Sequence, residues 1–358
     1  MRFAFTDDQL ALRAGAAEVL ASACTPADVR AVMESGDPST GRSALRWSAL
    51  SDLGATGLLA PVDTGGLGLG EVELVGVLEE AGRVALPEAL GIHAGVAVPV
   101  LAALGLTNEL TAAAQGTLLV TVGGVDIDPD GPVVTSHDGR ATTERVEAAS
   151  QAGCFLLATA SGDEPQIHLI TSSDAVIEQT KSLDPARDLG RVTWEPRPDT
   201  IVAAGGDAAI LIDAIATRSA LAAAAQLCGL SEAMLSMTAA YAVDRQQFGK
   251  PIGSFQAIKH LLADVRVALE FARPAVYRAA WALDVDDERQ HHDAALAKAL
   301  ASDLGTLAAT TCLQVHGGIG YTWEHDLQLF MKRAWGLAAA HGDAATQRAR
   351  ALGLGLGL

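Results

Sequence analysis

Cysteine is scarce in this sequence, and its placement excludes two kinds of covalent or metal-based stabilisation. The four cysteines of the 358-residue chain lie far apart and form no C-x-x-C pair. Such spacing supports neither a disulfide framework nor a zinc site. We therefore expect no metal and four buried thiols, which are Cys24, Cys154, Cys228 and Cys312.

Long apolar runs are also missing. Charged residues, glycine or proline interrupt every apolar run before it reaches the roughly 18 residues of a membrane span. Near the amino terminus, Thr6, Asp7 and Asp8 precede an amphipathic helix, where a signal peptide has a basic start and an apolar core. We expect a cytoplasmic protein without a membrane span.

Basic charge is in the minority, which excludes a further class of partner. The chain has 25 Lys and Arg against 43 Asp and Glu, and its formal net charge is -18. Such a surface repels a phosphate backbone, so we expect no nucleic-acid partner. An anionic ligand therefore needs a locally basic pocket.

Three regions follow one another along the chain. Residues 1–115 have the periodicity of helices, residues 116–200 form short strand-like runs separated by Gly, Asp and Pro, and residues 201–358 form long helices. We predict an N-terminal α-helical domain, a small middle antiparallel β domain and a C-terminal four-helix bundle. The four long helices are predicted over Ala208–Asp244, Phe255–Leu283, His292–His316 and Asp326 to about Arg350.

Two N-terminal segments allow a structural and a functional interpretation. The glycines of the segment from Gly65 to Gly70 resemble a phosphate loop, but no strand precedes them and no Lys-Ser/Thr pair follows. We interpret this segment as a turn between helices. The apolar run Ile92–Leu104 predicts a helix that either belongs to the core or lines an acyl pocket.

The segment from Tyr241 to His260 is the richest in motif residues. The long helix before it ends at Arg245, and Ser254 stands where an N-cap of the next helix is expected. Arg245 and Gln256 therefore lie at two helix ends that meet at one corner. A guanidinium and an amide placed in this way bind an anion or a polar ring edge.

Two motifs resemble the C-terminal helical domain of the acyl-CoA dehydrogenase family. The first is R-x-x-F-G-x-x-I-x-x-F-Q, from Arg245 to Gln256, and the second is Q-V-H-G-G-I-G-Y, from Gln314 to Tyr321. The resemblance implies the family fold, FAD as cofactor, and α,β-desaturation of an acyl-CoA thioester. It also implies the residues that contact FAD, partly across a subunit boundary: Arg245, Phe248 and Gln256 from the first motif, and Gln314, Gly317 and Gly318 from the second.

The middle region departs from the family pattern. Relatives have a Thr-Glu-Pro-Gly-x-Gly-Ser-Asp segment and a W-I-T/S-N segment that contact the flavin ring. Here Val120–Asp126 replaces the first, and the second is not found. The flavin-ring contacts that a subunit normally makes for itself are therefore in question.

The general base is also absent from both positions that relatives use. The usual Y-E-G-T segment corresponds here to Ala340–Asp343, so His341 replaces the catalytic glutamate and Asp343 the threonine. The alternative position, on the first long helix, corresponds to Ser219. Histidine is a candidate base. Asp343 is expected either to approach the flavin or to cap a helix.

The resemblance leaves three hypotheses. In the first, this chain is the FAD-binding partner of a catalytic subunit, as in the actinobacterial heterotetramers that act on steroid side-chain thioesters. In the second, it is a self-sufficient homo-oligomer that uses His341 or another base. In the third, it is a structural subunit that has lost FAD. Electron-transfer flavoprotein is the electron acceptor that the resemblance implies.

Overall fold

The computed structural model describes residues 4–35, 43–125, 134–161 and 164–356. Helices come first, strands next and long helices last, as predicted. A capping box at Thr6 begins α1, with the Thr6 hydroxyl accepting the backbone N–H of Gln9. The N-terminal helices are α1 Asp7–Ala23, α2 Pro26–Glu34, α3 Ala44–Asp52, α4 Glu71–Arg83, α5 Leu90–Ile92, α6 Val98–Ala103 and α7 Thr107–Ala114.

Both N-terminal segments that allowed two interpretations are resolved by the backbone. The segment from Gly65 to Gly70 connects a short 3-10 turn to α4, which confirms the interhelical turn. The single helix predicted over Ile92–Leu104 is wrong in detail, because a π-helical turn at His93–Ala97 separates α5 from α6. The His93 ring bonds to other segments at the start of this interruption. Its Nδ1 accepts the N–H of Val120 at 3.1 Å, and Nε2 lies 3.1 Å from the carbonyl oxygen of Ala113.

The described residues of the β region form two four-stranded sheets. One has the order β1-β4-β5-β8 and the other β2-β3-β7-β6. The predicted antiparallel arrangement is wrong at one pair, since β1 and β4 run parallel. Phe155 and Trp194 are buried in the core of this region. The strands are β1 Val120–Gly123, β2 Val134–His137, β3 Arg140–Val146, β4 Cys154–Ser161, β5 Glu164–Thr171, β6 Ala175–Gln179, β7 Gly190–Trp194 and β8 Ile201–Ala204.

Five helices follow the strands. The first three agree with the predicted helices within three residues at each end. The predicted fourth helix is wrong, because a turn at residues 340–343 divides it into α11 and α12. The helices are α8 Gly205–Asp244, α9 Gln256–Asp284, α10 Gln290–His316, α11 Leu327–Ala339 and α12 Ala344–Leu356, and a two-residue hairpin, β9 Gln246–Gln247 and β10 Lys250–Pro251, joins α8 to α9.

The first long helix is the centre of the helical core. α8 packs against α4, α9, α10 and α11. It is long and apolar enough, by length and composition, to cross a membrane, but 61% of its most apolar 18-residue window is buried inside the protein. This burial is typical of a core helix. All four cysteines are buried and free, as predicted.

Candidate functional site

The corner after α8 presents an aromatic ring to solvent. Phe248 is 91% exposed and adopts a left-handed backbone conformation, with φ of 54°. Its ring lies edge-on to Phe255 with 6.0 Å between centroids, and Lys250 Nζ lies 4.4 Å from the Phe255 centroid. A non-glycine residue with positive φ costs conformational energy. The corner therefore uses strained backbone to hold an aromatic and basic surface.

Arg245 terminates α8 at this corner. Its backbone N–H donates to the carbonyl oxygen of Tyr241 at 2.8 Å, and its own carbonyl oxygen accepts the N–H of Ile252 at 2.8 Å. The side chain is exposed, and no residue that the structure describes forms an ion pair with its guanidinium. Gln256 is exposed in the first turn of α9. Both side chains are thus available to a ligand.

The N-cap predicted at Ser254 is wrong. Ser254 ends a 3-10 turn, and its hydroxyl donates to the carbonyl oxygen of Pro251 at 2.7 Å. Phe255 occupies the N-cap position without a side-chain cap. The first backbone N–H groups of α9 are therefore left without that hydroxyl acceptor.

The second motif forms the end of α10. Gln314 is exposed in the last turn, and Gly317 follows with φ of 62° and ψ of -140°, a conformation that is almost restricted to glycine. Beyond its neighbours in the chain, a Cβ atom added at Gly317 or Gly318 would meet no atom of the described residues within 4 Å. These glycines thus leave backbone accessible at the helix end.

A ring cluster joins the two motifs within one chain. Tyr241, one turn before Arg245, stacks on His316 with centroids 4.4 Å apart, and His325 packs edge-on against His316 at 4.5 Å. Burial lowers the pKa of His316, the hydrogen bond to the Cys312 carbonyl opposes this, and His325 lowers the pKa further. A neutral His316 therefore fixes the glycine turn against the end of α8.

A cavity of about 140 Å³ lies where the β region meets α8 and the end of α11. Ser219 from α8 and His341 from the turn after α11 both line it, and these are the two positions at which the family resemblance predicts the general base. Gly123 and Gly124, from the segment that replaces the flavin-ring motif, form part of the opposite wall. Asp126, the last residue of that segment, lies outside the described residues.

A β-bulge borders this cavity. The register of β3 against β7 shifts between Thr143 and Val146, and Arg145 has φ of 57°. Bulges of this kind re-aim side chains next to functional sites. Here the bulge brings Glu144 and Arg145 to the cavity wall.

Glu144, which lines the cavity, and Glu147, which contacts the lining residue Arg187, are both engaged with arginines. Glu144 accepts a hydrogen bond from Arg191 Nε at 2.6 Å. Glu147 accepts one from Arg187 Nη2 at 3.1 Å. Burial raises the pKa of Glu147, but electrostatic interactions, with Arg187 first and then with His341 and Arg333, outweigh this effect and hold the pKa below its ordinary value. Glu147 is therefore an ionised ion-pair partner.

The turn at residues 340–343 holds His341 in a left-handed conformation, with φ of 55°. Asp343 caps the next helix, since its Oδ1 accepts the N–H of Thr346 at 2.8 Å, and this bond lowers the pKa of Asp343. Of the two expectations for Asp343, the structure shows the helix cap.

The structure adds two residues to the site that the sequence analysis did not identify. Arg187 lines the cavity and donates from Nη1 to the carbonyl oxygen of Gly336 at 3.2 Å. Lys298 is fully buried beneath the turn that carries His341. For Arg187 no sequence signal exists. For Lys298 the signal is a charge inside the apolar run Ala294–Ala301.

Known proteins match this chain over nearly its whole length. The model of the acyl-CoA dehydrogenase N-terminal domain matches residues 6–110, and that of the C-terminal domain matches residues 210–352. Acyl-CoA dehydrogenase IpdE2 of Mycolicibacterium smegmatis is 31% identical over 346 residues, which are 96% of this chain and 98% of that protein. Acyl-CoA dehydrogenase FadE34 of Mycobacterium tuberculosis is 32% identical over 344 residues, and the chain spans 46% of its length.

A solved structure shows the same architecture. The crystal structure of the ChsE4-ChsE5 complex from Mycobacterium tuberculosis contains a chain that superposes with a TM-score of 0.88 at 26% identity, covering 100% of this chain and 99% of that one. The fold predicted from the two motifs is thus confirmed. The chain belongs to the acyl-CoA dehydrogenase family.

Proposed function

We propose that this chain is the FAD-binding partner subunit of an acyl-CoA dehydrogenase, working with a catalytic chain in a heterotetramer. The reaction is the α,β-desaturation of an acyl-CoA thioester, and the substrate class is a steroid side-chain thioester. Electron-transfer flavoprotein is the acceptor. The location is cytoplasmic, and the domains are residues 1–115, 116–200 and 201–358.

The observation that carries the proposal is the cavity between Ser219 and His341. Desaturation needs a base within hydrogen-bond reach of the α proton, and relatives supply a glutamate from one of these two positions. Here both positions face the same cavity, and neither is a carboxylate. A partner chain with an intact site is therefore needed for turnover.

Neither Glu144, which lines the cavity, nor Glu147, which contacts the lining residue Arg187, is suited to replace the missing base. Glu144 is bonded to Arg191, and Glu147 lies against Arg187. The arginine beside Glu147 lowers the pKa of that carboxylate, which makes it a weaker proton acceptor than an unpaired, desolvated glutamate. This arrangement favours the partner role over a self-sufficient enzyme that uses another carboxylate.

The corner and the glycine turn have the chemistry that FAD requires. The guanidinium of Arg245 suits a pyrophosphate, the exposed ring of Phe248 suits a flat heterocycle, and Gln256 supplies an amide. Gly317 and Gly318 leave space for close approach to backbone. This fit favours FAD binding over a structural subunit without cofactor.

In this assignment each residue has a defined task. The chemistry that FAD supplies when bound is acceptance of the β hydrogen with its electron pair. Arg245, Phe248 and Gln256 bind and orient the cofactor at the corner, while Gln314, Gly317 and Gly318 contact it from the helix end. Because the family divides these contacts between neighbouring subunits, this chain completes sites that it shares.

The related complex supports a heteromeric assembly. The ChsE4-ChsE5 complex is built from two differently named proteins, and one of its chains has the fold of this chain. A chain that has FAD-binding residues but no catalytic carboxylate suits an assembly in which one subunit helps to bind FAD and the other provides the base. The catalytic chain then provides the glutamate.

Co-purification tests the proposal. The chain is expressed with an affinity tag, alone and together with the product of the adjacent reading frame. We expect flavin absorbance and acyl-CoA desaturation in the co-expressed sample, and a colourless or poorly soluble chain alone. A yellow chain that desaturates acyl-CoA when expressed alone contradicts the proposal.

A second candidate rests on His341. Its side chain faces the cavity at the position of the usual base, so a self-sufficient enzyme with a histidine base has a geometric argument of its own. The same experiment separates the two, because only a self-sufficient enzyme has activity without a second chain.

A further inference from the structure

The turn at residues 340–343 is supported from beneath by a buried cation. Lys298, on α10, is 0% exposed. Its Nζ donates to the Ser302 hydroxyl at 2.7 Å, to the Ala338 carbonyl oxygen at 3.2 Å and to the Gly342 carbonyl oxygen at 3.1 Å. An ammonium group has three N–H donors, so each has an acceptor.

The acceptors explain why a charge is tolerated there. Ala338 lies in the last turn of α11, where carbonyl groups lack partners within the helix and the helix dipole favours a cation. Gly342 lies beyond the helix, within the turn. Lys298 thus ties the end of α11 and the following turn to α10 by one side chain.

A second buried side chain holds the turn from the other side. Gln347, on α12, is 0% exposed, and its Nε2 donates to the His341 carbonyl oxygen at 2.6 Å. A Cβ on Gly342 would stand 2.9 Å from that same nitrogen, and Gly342 has φ of 78°. Only glycine fits between the turn and Gln347.

We propose that Lys298 and Gln347 are positioning residues, which fix the backbone on both sides of residue 341 so that its side chain faces the cavity. His341 has φ of 55°, a conformation that a histidine keeps only when its surroundings impose it. The two buried donors provide that constraint through the carbonyl groups of residues 338, 341 and 342. The inference concerns contacts within this chain, and it stands whether or not residue 341 is a base and whether or not FAD binds.

Histidine-selective NMR of the full chain, purified with its partner if the chain requires one, tests the proposal. The ring signals of His341 are assigned by their loss in His341→Asn. In Lys298→Met, which keeps an unbranched side chain and removes the donors, we expect these signals to shift by more than their linewidth. The signals of His93, in the N-terminal region, should stay in place.

Two further variants separate positioning from loss of stability. Leu304→Ala creates a cavity on the same helix, in the main core, and should lower the unfolding temperature without moving the His341 signals. Gln347→Met removes the other donor and should move them, which keeps the test decisive if Lys298→Met does not fold. The proposal would be overturned if the His341 signals stayed in place in whichever of Lys298→Met and Gln347→Met folds. It would also be overturned if Leu304→Ala shifted the His341 signals by as much as these two variants do.

Discussion

Ser219 on α8 and His341 in the turn after α11 line the same cavity, although they are distant in the sequence. The family resemblance predicts the general base at one or the other of these positions, and a shared cavity would let either serve the same reaction. In this chain the cavity remains while both carboxylates are absent.

Arg245→Ala is predicted to weaken FAD binding with the helical content unchanged. A charge-assisted hydrogen bond contributes about 1.5 to 3 kcal/mol, or roughly ten- to a hundredfold in affinity. Flavin absorbance per protein in the assembled complex measures the effect. Arg289→Ala removes an exposed arginine at the N-cap of α10, beyond the far end of α9, and serves as the control. Equal flavin occupancy in both variants would refute the role of Arg245.

His341→Asn is predicted to change the turnover number of the assembled complex by less than about tenfold, because the partner chain is proposed to provide the general base. Removal of a true general base typically costs about a hundredfold or more. Asparagine is chosen because it tolerates the left-handed conformation of this turn. The measurement is the steady-state rate of desaturation by the wild-type and variant complexes, with the flavin content of each determined in parallel. A loss beyond a hundredfold with FAD still bound would make His341 the base.

His93 is predicted to make stability depend on pH. Burial lowers the pKa of His93 to about 4, and its hydrogen bonds to Ala113 and Val120 oppose this only in part. Between pH 6.5 and about 4, His93 is therefore protonated in the unfolded chain and neutral in the folded chain. The stabilisation is complete above pH 6.5 and falls by about 3 kcal/mol as the pH drops toward 4.

The measurement is denaturant unfolding of the wild type and His93→Gln across that range. The free-energy difference between them should shrink as the pH falls. A difference that is constant from pH 7 to pH 4, or that grows, would show that His93 is not held neutral.

Arg333→Met is predicted to destabilise the fold by about 3 to 5 kcal/mol, because it leaves a buried carboxylate without its partner. Arg333 bonds to Asp184, which is 0% exposed, and donates from Nη1 to the Leu86 carbonyl oxygen at 2.7 Å. One side chain thus connects all three regions. Arg197→Ala, which breaks an exposed pair with Asp199, should cost about 1 kcal/mol or less.

Unfolding of both variants at one protein concentration provides the comparison. If Arg333→Met costs no more than Arg197→Ala, the buried pair does not hold the regions together.

The long helices were predictable because their apolar period is continuous and because Gly and Pro mark the corner between α8 and α9 and Gly marks the end of α10. The break between α11 and α12 was not, since Ala340 continues the alanine-rich pattern and Gly342 is a single glycine. The turn exists because Lys298 and Gln347 bind its carbonyl groups, and these contacts are distant in sequence. Periodicity within one segment contains no information on them.

The candidate site was predictable where the motifs are local. Arg245, Phe248 and Gln314 were identified from the resemblance of two motifs to the family, and all three side chains are exposed, at or just beyond helix ends. Their contacts with FAD remain predictions. The cavity wall was only partly predictable, because the bulge at Arg145 and the position of Arg187 depend on how the strands pair.

The central claim is that this chain shares FAD sites with a different, catalytic chain. FAD that contacts both chains stabilises the assembled form by mass action, by about 2.7 kcal/mol at a hundred times the dissociation constant. Native mass spectrometry of the co-expressed pair counts chains and cofactors in one measurement. The account predicts a heterotetramer with fewer than four FAD molecules, whereas four identical chains carrying four FAD molecules would contradict it.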